Sequence, residues 1–253
     1  MREQITKRLA EIAEQHGIEH VLAVESGSRL WGFESEDSDW DVRFVYKRPL
    51  SWYVSCWPRR DVIEPKDPFP LDFSGWDLQK ALGLLAKSNP PLLEWLQSEQ
   101  HYLWSELAQQ MASLAARYFN PSGCIYHYLH MANGNYRTYL QGDLVRTKKY
   151  LYVIRPLLAC AWIEEHKTFP PPQWDALADG LGAKPSKVRP MLLFNDLLDR
   201  KRSGQEMEKG ERIDELNTWI ERELVRFGEI ARTAPRNKLD GDELNEFLFY
   251  AVR

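Results

Sequence analysis

The sequence predicts an α+β protein, with an N-terminal α/β domain over residues 1–102 and a helical domain over residues 103–253. Three observations carry this reading. Short runs rich in Val, Ile, Phe and Tyr, which suit a pleated, half-buried strand, cluster in the N-terminal part. From Leu103 onward the apolar residues recur at helical spacing. A hydrophobic fraction of 43% over 253 residues supplies enough material for one large core or two smaller ones.

The elements follow in order. Residues 3–16 place Ile5, Leu9, Ile12 and Ala13 on one helical face, and Gly17 ends the helix. "IEHVLAVES" reads as a buried strand, and Gly27-Ser28 as a turn into the short helical "RLWGF". "SEDSD" is a loop, and "WDVRFVYK" a second strand closed by Pro49. "WYVSCW" and "RRDVIEP" read as a hairpin or two short strands, and "FPLDF" as another. The pattern Ser74-x-x-Asp77 caps a helix that Asn89-Pro90 stops, and "PLLEWLQSE" is a further helix. Beyond Leu103 every apolar segment is helix-like, with residues 201–211 as an exposed charged loop.

The composition narrows the function. A net charge of −4 provides no global basic field for nucleic acid, although a local basic groove remains compatible with it. Cys56, Cys124 and Cys160 are too few and too far apart for a disulfide framework or a zinc site, and read as buried thiols in a reducing compartment. The N-terminal segment lacks the apolar core of a signal peptide, and no apolar run is long enough to span a bilayer. The expectation is a cytoplasmic protein with no membrane partner.

The stretch "ESGSRLWGFESEDSDWDVRF" carries the chemistry. Residues two apart in a strand share a side, so Asp39 and Asp41 project together while Trp40, Val42 and Phe44 face the core. Two carboxylates on one rigid face repel each other unless something positive lies between them or the face is in open water. Hard oxygen donors of this kind suit Mg²⁺. A third acid from a neighbouring strand would complete such a site. Asp72 is the first candidate, with Glu64 and Asp77 as runners-up, although Asp77 is better explained as a helix cap. Gly27 lets the backbone approach a ligand closely, Ser28 adds a hydroxyl, and Arg29 beside it is either a phosphate contact or a surface residue.

Gly-Ser, an interval, then Asp-apolar-Asp-apolar resembles the signature of the DNA polymerase β nucleotidyltransferase superfamily. "GWDLQKALGLLAKSNPPLLEWLQS" and "KKYLYVIRPLLACAWI" extend the likeness over roughly residues 20–170, to a bacterial and phage branch of predicted nucleotidyltransferases associated with RNA repair and ligation. The resemblance implies a polymerase β-like catalytic domain and a helical domain that completes the nucleotide cleft. It implies Mg²⁺ or Mn²⁺ on Asp39, Asp41 and Asp72, an NTP substrate, and transfer to an acceptor hydroxyl, with an RNA end as the expected acceptor. Asp72 would lie nearest that hydroxyl. It also implies that Lys148 or Lys149 grips the triphosphate and that Tyr152 packs on the base. Helical spacing adds Arg155 to the face of Lys148 and Tyr152.

Two further features stand beside this set. His127 and His130 have a spacing that could suit a metal but lack Cys or Glu partners, so an interdomain hydrogen-bonded network fits them better. Arg59 and Arg60 beside Trp57 form a basic, aromatic edge of the kind that stacks a nucleotide strand, or an exposed hairpin tip. Two rival functions also remain. One is transfer of AMP to a protein or small molecule, which the modest negative charge favours over a long RNA. The other is a nucleotide-binding regulator without turnover, which the intact Asp39/Asp41 pair opposes.

Overall fold

The first helix, α1 (Arg2–His16), buries Ile5, Leu9 and Ile12, and Gly17 ends it in the left-handed conformation at φ 58°. The computed structural model describes residues 1–182, 185–204, 209–233 and 241–253. After α1 come β1 (Glu19–Glu25), the one-turn α2 (Gly27–Leu30), β2 (Trp40–Lys47), the one-turn α3 (Leu50–Tyr53), β3 (Val62–Ile63) and β4 (Leu71–Asp77). Then follow α4 (Leu78–Ala86), α5 (Pro90–Trp95), β5 (His101–Trp104) and α6 (Glu106–Tyr118). The five strands form one sheet in the order β3-β4-β2-β1-β5. β2 and β4 run parallel, and the other neighbours run antiparallel.

The alternation in β2 is the one its sequence implies. Val42, Phe44 and Tyr46 join Ala23 and Phe73 under the apolar stripe of α1, and Trp40 packs against that cluster. Asp41 and Arg43 point the other way. Asp77 caps α4 by accepting from the Gln79 N–H at 2.9 Å.

The structure corrects several expectations. Ser74 is not part of a helix cap but lies in β4, paired with Arg43. The hairpin expected over residues 52–64 is a helical turn, α3, a strandless connection and the two-residue β3. Trp52 and Tyr53 looked β-forming by propensity. Instead Tyr53 donates to Asp77 at 3.1 Å and accepts from the Arg48 N–H at 3.1 Å, which folds the segment back as a turn. Strands continue past Leu103, because β5 pairs with β1. Cys56 is exposed, whereas Cys124 and Cys160 are buried as expected.

The chain divides into two compact units. The first comprises Met1–Leu30, Ser38–Phe119 and a C-terminal helix, and the second comprises Trp31–Asp37 and the intervening helices. These are α7 (Pro121–Tyr139), α8 (Leu151–His166), α9 (Trp174–Leu181), α10 (Pro185–Arg202) and α11 (Asp214–Thr233), with a small ladder of β6 (Leu144–Val145) and β7 (Gly210–Glu211). The charged loop expected at 201–211 is thus shorter, since α10 runs to Arg202 and β7 takes its end; residues 205–208 lie outside the described residues. The C-terminal helix of the first unit is α12 (Asp242–Val252). Among the described residues, no helix is long and apolar enough to cross a membrane.

Candidate active site

Strand register builds the site. β2 and β4 pair in parallel with Asp41 opposite Asp72, so the two carboxylates project side by side from neighbouring strands. Arg43, two residues beyond Asp41 and on the same face, supplies the positive charge between them. Its Nη2 donates to Asp41 Oδ1 at 2.7 Å and to Asp72 Oδ2 at 2.7 Å. Asp72 is the outer member, with its side chain 56% exposed, and Asp41 is the inner one at 22%. Burial pushes the Asp41 carboxyl up from its ordinary range; Arg43 opposes that, and Asp72 and Asp39 reinforce it.

Asp39 is not held by the register that pairs Asp41 with Asp72. It precedes the first residue of β2, so strand alternation does not hold it beside Asp41. Among the described residues, no group of three His, Cys, Asp or Glu stands close enough to hold a metal ion. Asp39 is still near enough to act on Asp41 electrostatically. Glu64 lies in an ion pair with Arg60 at 3.3 Å, and Asp77 caps α4, so neither runner-up joins the cluster.

Gly27 is fixed against the same carboxylate. Its φ is +58°, and a Cβ there would lie 1.9 Å from Asp41 Oδ2. Any side chain would strike the carboxylate, so only glycine lets the turn close. The Ser26 N–H donates to the Asp41 carbonyl at 2.9 Å, tying the turn to β2. Ser28 follows and is nearly buried. Arg29 spends its guanidinium on the loop before β2: Nε donates to the Asp39 carbonyl at 3.1 Å and Nη2 to the Ser38 carbonyl at 2.9 Å, while the group lies 3.9 Å over the Trp40 ring. It orders the segment that carries Asp39.

Sequence reasoning missed two residues. Arg43 was detectable, because the two-residue period of the strand, read on from Asp41, reaches it. Glu25 is a fully buried acid at the end of β1. Its Oε1 accepts from the Asp41 N–H at 3.0 Å and its Oε2 from the Tyr102 hydroxyl at 2.6 Å. Burial raises its carboxyl to about 7, against the lowering effect of those hydrogen bonds. A lone acid closing an apolar strand was the available signal.

The basic segment of the second unit is arranged differently from the helical face expected. Lys148 and Lys149 lie in a 3₁₀ turn, Thr147–Tyr150, and α8 begins only at Leu151. Three residues per turn instead of 3.6 shifts the face, and Lys149 meets Tyr152. Its Nζ lies 4.8 Å from the Tyr152 ring centroid and 4.6 Å from that of Tyr139. Desolvation, then Lys148 and Arg146, lower its pKa. Arg155 does not share an open face with the lysines. It is 3% exposed, and its Nε and Nη2 donate to the Pro172 carbonyl at 3.3 and 2.9 Å. The turn itself is anchored by Tyr150, whose hydroxyl donates to Asn217 Oδ1 at 2.6 Å and accepts from the Ile213 N–H at 2.9 Å. His127 and His130, both on α7, contact the Tyr126 ring with centroids 6.1 and 4.3 Å away.

The chain is 45% identical over 254 residues to the uncharacterized protein YcgL of Bacillus subtilis (strain 168), covering 100% of this chain and 96% of that protein. Among solved structures, a nucleotidyltransferase-like protein from Exiguobacterium sibiricum 255-15 aligns with 90% of this chain and 75% of its own, at 9% identity and a TM-score of 0.34. The family model described as RNA repair pathway DNA polymerase beta family matches residues 1–250, and the chain belongs to that family.

Proposed function

We propose that this protein transfers a nucleoside monophosphate from an NTP to an acceptor hydroxyl, with an RNA end as the acceptor. The observation that carries the reading is the pairing of Asp41 with Asp72 across parallel strands, with one cationic atom 2.7 Å from an oxygen of each. That atom, Arg43 Nη2, stands where a positive charge is wanted. The donor set is all oxygen, half-open to solvent and joined by Asp39 through its field, which fits Mg²⁺ or Mn²⁺. Asp41 and Asp72 would hold the ion, with Asp39 beside them, and Arg43 would release both oxygens to it. Such an ion supplies activation of the attacking hydroxyl and neutralisation of the triphosphate and leaving pyrophosphate.

The chain's own residues divide the remaining work. Asp72, the exposed member, accepts the proton of the acceptor hydroxyl. Glu25 holds the Asp41 backbone in place through its N–H. Gly27 and Ser28 present backbone and hydroxyl to the phosphates beside Asp41. Lys149, in its setting of two tyrosines, meets the triphosphate, and Tyr152 meets the base. The RNA acceptor draws support from the family description, and a cytoplasmic location from the two buried free thiols.

The test is incubation with each labelled NTP, Mg²⁺ or Mn²⁺, and a panel of RNA ends. Label on RNA is the expected result. Label on protein would replace RNA with a protein acceptor, and no label anywhere would make the protein a nucleotide-binding regulator.

A further inference from the structure

The outer edge of the sheet carries arginines and aromatics that the transfer reaction does not use. Beyond the end of β2, the Arg48 guanidinium lies 3.8 Å from the Trp52 ring centroid, and that of Arg59 lies 4.4 Å from the same ring. Trp57 between them in sequence is 80% exposed. A hollow of about 280 Å³ opens beside Trp52, Arg48, Arg60 and Ile63.

Apart from the buried Asp77, three acids of this edge are held in ion pairs. Asp61 is paired with Lys80 at 3.0 Å, Glu64 with Arg60 at 3.3 Å, and Asp67 with Arg8 at 2.7 Å. Arg48, Arg59 and Lys66 form no ion pair among the described residues. A protein with a total charge of −4 therefore keeps a locally positive strip here, and the strip is interleaved with exposed rings. Trp57, exposed and two residues before Arg59 in the chain, gains little from packing. It offers a π-face to a base, and Arg59 a cation to its phosphate.

The strip leads to the carboxylates. The Asp77 N–H donates to the Asp61 carbonyl at 2.9 Å, so the connection carrying Trp57, Arg59 and Arg60 joins the sheet at Asp77. Asp77 lies five residues along β4 from Asp72, roughly 17 Å at about 3.3 Å per residue. The segment after β3 returns to the start of β4 through Lys66, which is exposed, and Phe69, which is 73% exposed.

We infer that this edge is a platform for single-stranded RNA, with bases stacked on Trp57 and Phe69, phosphates on Arg59, Arg48 and Lys66, and the acceptor end directed to Asp72. Its direction along the edge rests on the proposed transfer reaction; its existence does not. Stacking tolerates any base, so the platform is expected to read strandedness and not sequence.

The test is binding of a fluorescein-labelled single-stranded RNA of roughly 12 nucleotides, within the span of about 4–16 that single-strand sites occupy. Anisotropy is measured on the full chain in EDTA without NTP. Trp57→Ala combined with Arg59→Ala is expected to weaken binding about ten- to hundredfold. Arg59→Ala alone is expected to flatten the slope of log affinity against log salt by about 0.7. Duplex RNA of the same length is expected to bind more weakly than the single strand. Absence of wild-type binding, wild-type affinity in the double variant, or equal affinity for duplex and single strand would each overturn the platform. Circular dichroism confirms that the variants fold, and Phe69→Ala gives an independent second reading at the other end of the strip. If wild-type protein labels RNA while the double variant binds RNA normally, the platform falls and the transfer reading stands. If no protein labels RNA but the double variant loses binding, the platform stands without the transfer reading.

Discussion

The carboxylates of β2 and β4 share one arginine, whereas Lys149, on the turn before α8, lies over two tyrosine rings. The first cluster is held by a ladder of strand hydrogen bonds that sets Asp41, Arg43 and Asp72 within one another's reach. The second lies on a tight turn whose neighbours are aromatic. Charges fixed by register are coupled, so a change at one is felt at the next. Charges carried on the turn act on one another through their field, as Lys148 and Arg146 do in lowering the Lys149 pKa. Substitutions distinguish the two regimes.

The largest effect is expected at the coupled cluster. Asp41→Asn should abolish transfer of labelled nucleotide, and Asp72→Asn should do so as well, because neither oxygen set suffices alone. Burial disfavours the Asp41 charge, so Asp41→Asn should hold or raise the melting temperature in metal-free buffer. Full activity in either variant would remove the site.

Next is Gly27→Val, with Gly17→Val as its partner. Both glycines have φ +58°, but a Cβ at Gly17 meets nothing within 4 Å. Gly17→Val should therefore cost only the conformational strain, about 1–3 kcal/mol. Gly27→Val adds a collision with Asp41 and should destabilise further, with activity lost. Equal urea midpoints for the two variants would show that the Asp41 contact is not tight.

At the turn, one lysine should matter and the other should not. Lys149→Ala should lose a charge-assisted contact of about 1.5–3 kcal/mol, roughly ten- to hundredfold in NTP affinity. Lys148→Ala should stay near wild type in the same titration. Equal losses would mean that the turn acts as a unit after all.

The smallest expected effect is on pH dependence. The Glu25 carboxyl is raised from 4.5 to about 7 in the folded protein, so folding favours its protonated form. Its contribution is therefore fully present below pH 4.5 and is lost as pH rises toward 7. Urea midpoints measured across that window in EDTA should fall with pH, and Glu25→Gln should flatten the fall. An unchanged slope in the variant would place the titration elsewhere.

The legible parts were those governed by short-range rules. The two-residue period of β2 separated Val42 and Phe44 from Asp41, and the cap at Asp77 followed from its position before an apolar helix. Asp72 was reachable only as a candidate, because register between β2 and β4 depends on a crossover that local pattern does not specify. The face of the basic segment failed for a related reason: a 3₁₀ turn at a helix start changes the count, and apolar spacing does not reveal where the pitch changes. The expected strands over residues 52–61 yielded to side-chain hydrogen bonds from Tyr53, which propensity does not weigh.

The return of α12 to the first unit has a consequence for how the protein is made. Lys47 at the end of β2 donates to the Ala251 carbonyl at 3.0 Å, and Arg117 pairs with Glu243, so the unit that carries the carboxylates is finished by its last-synthesised helix. About 120 residues of the other unit leave the ribosome between α6 and α12, a delay of roughly 6–25 s at about 5–20 residues per second. During that interval the sheet stands without one of its covering helices, with the faces of α4 and α6 that later meet α12 open to chaperones. A message truncated between α6 and α12 would yield a sheet with its carboxylates and without its closing helix.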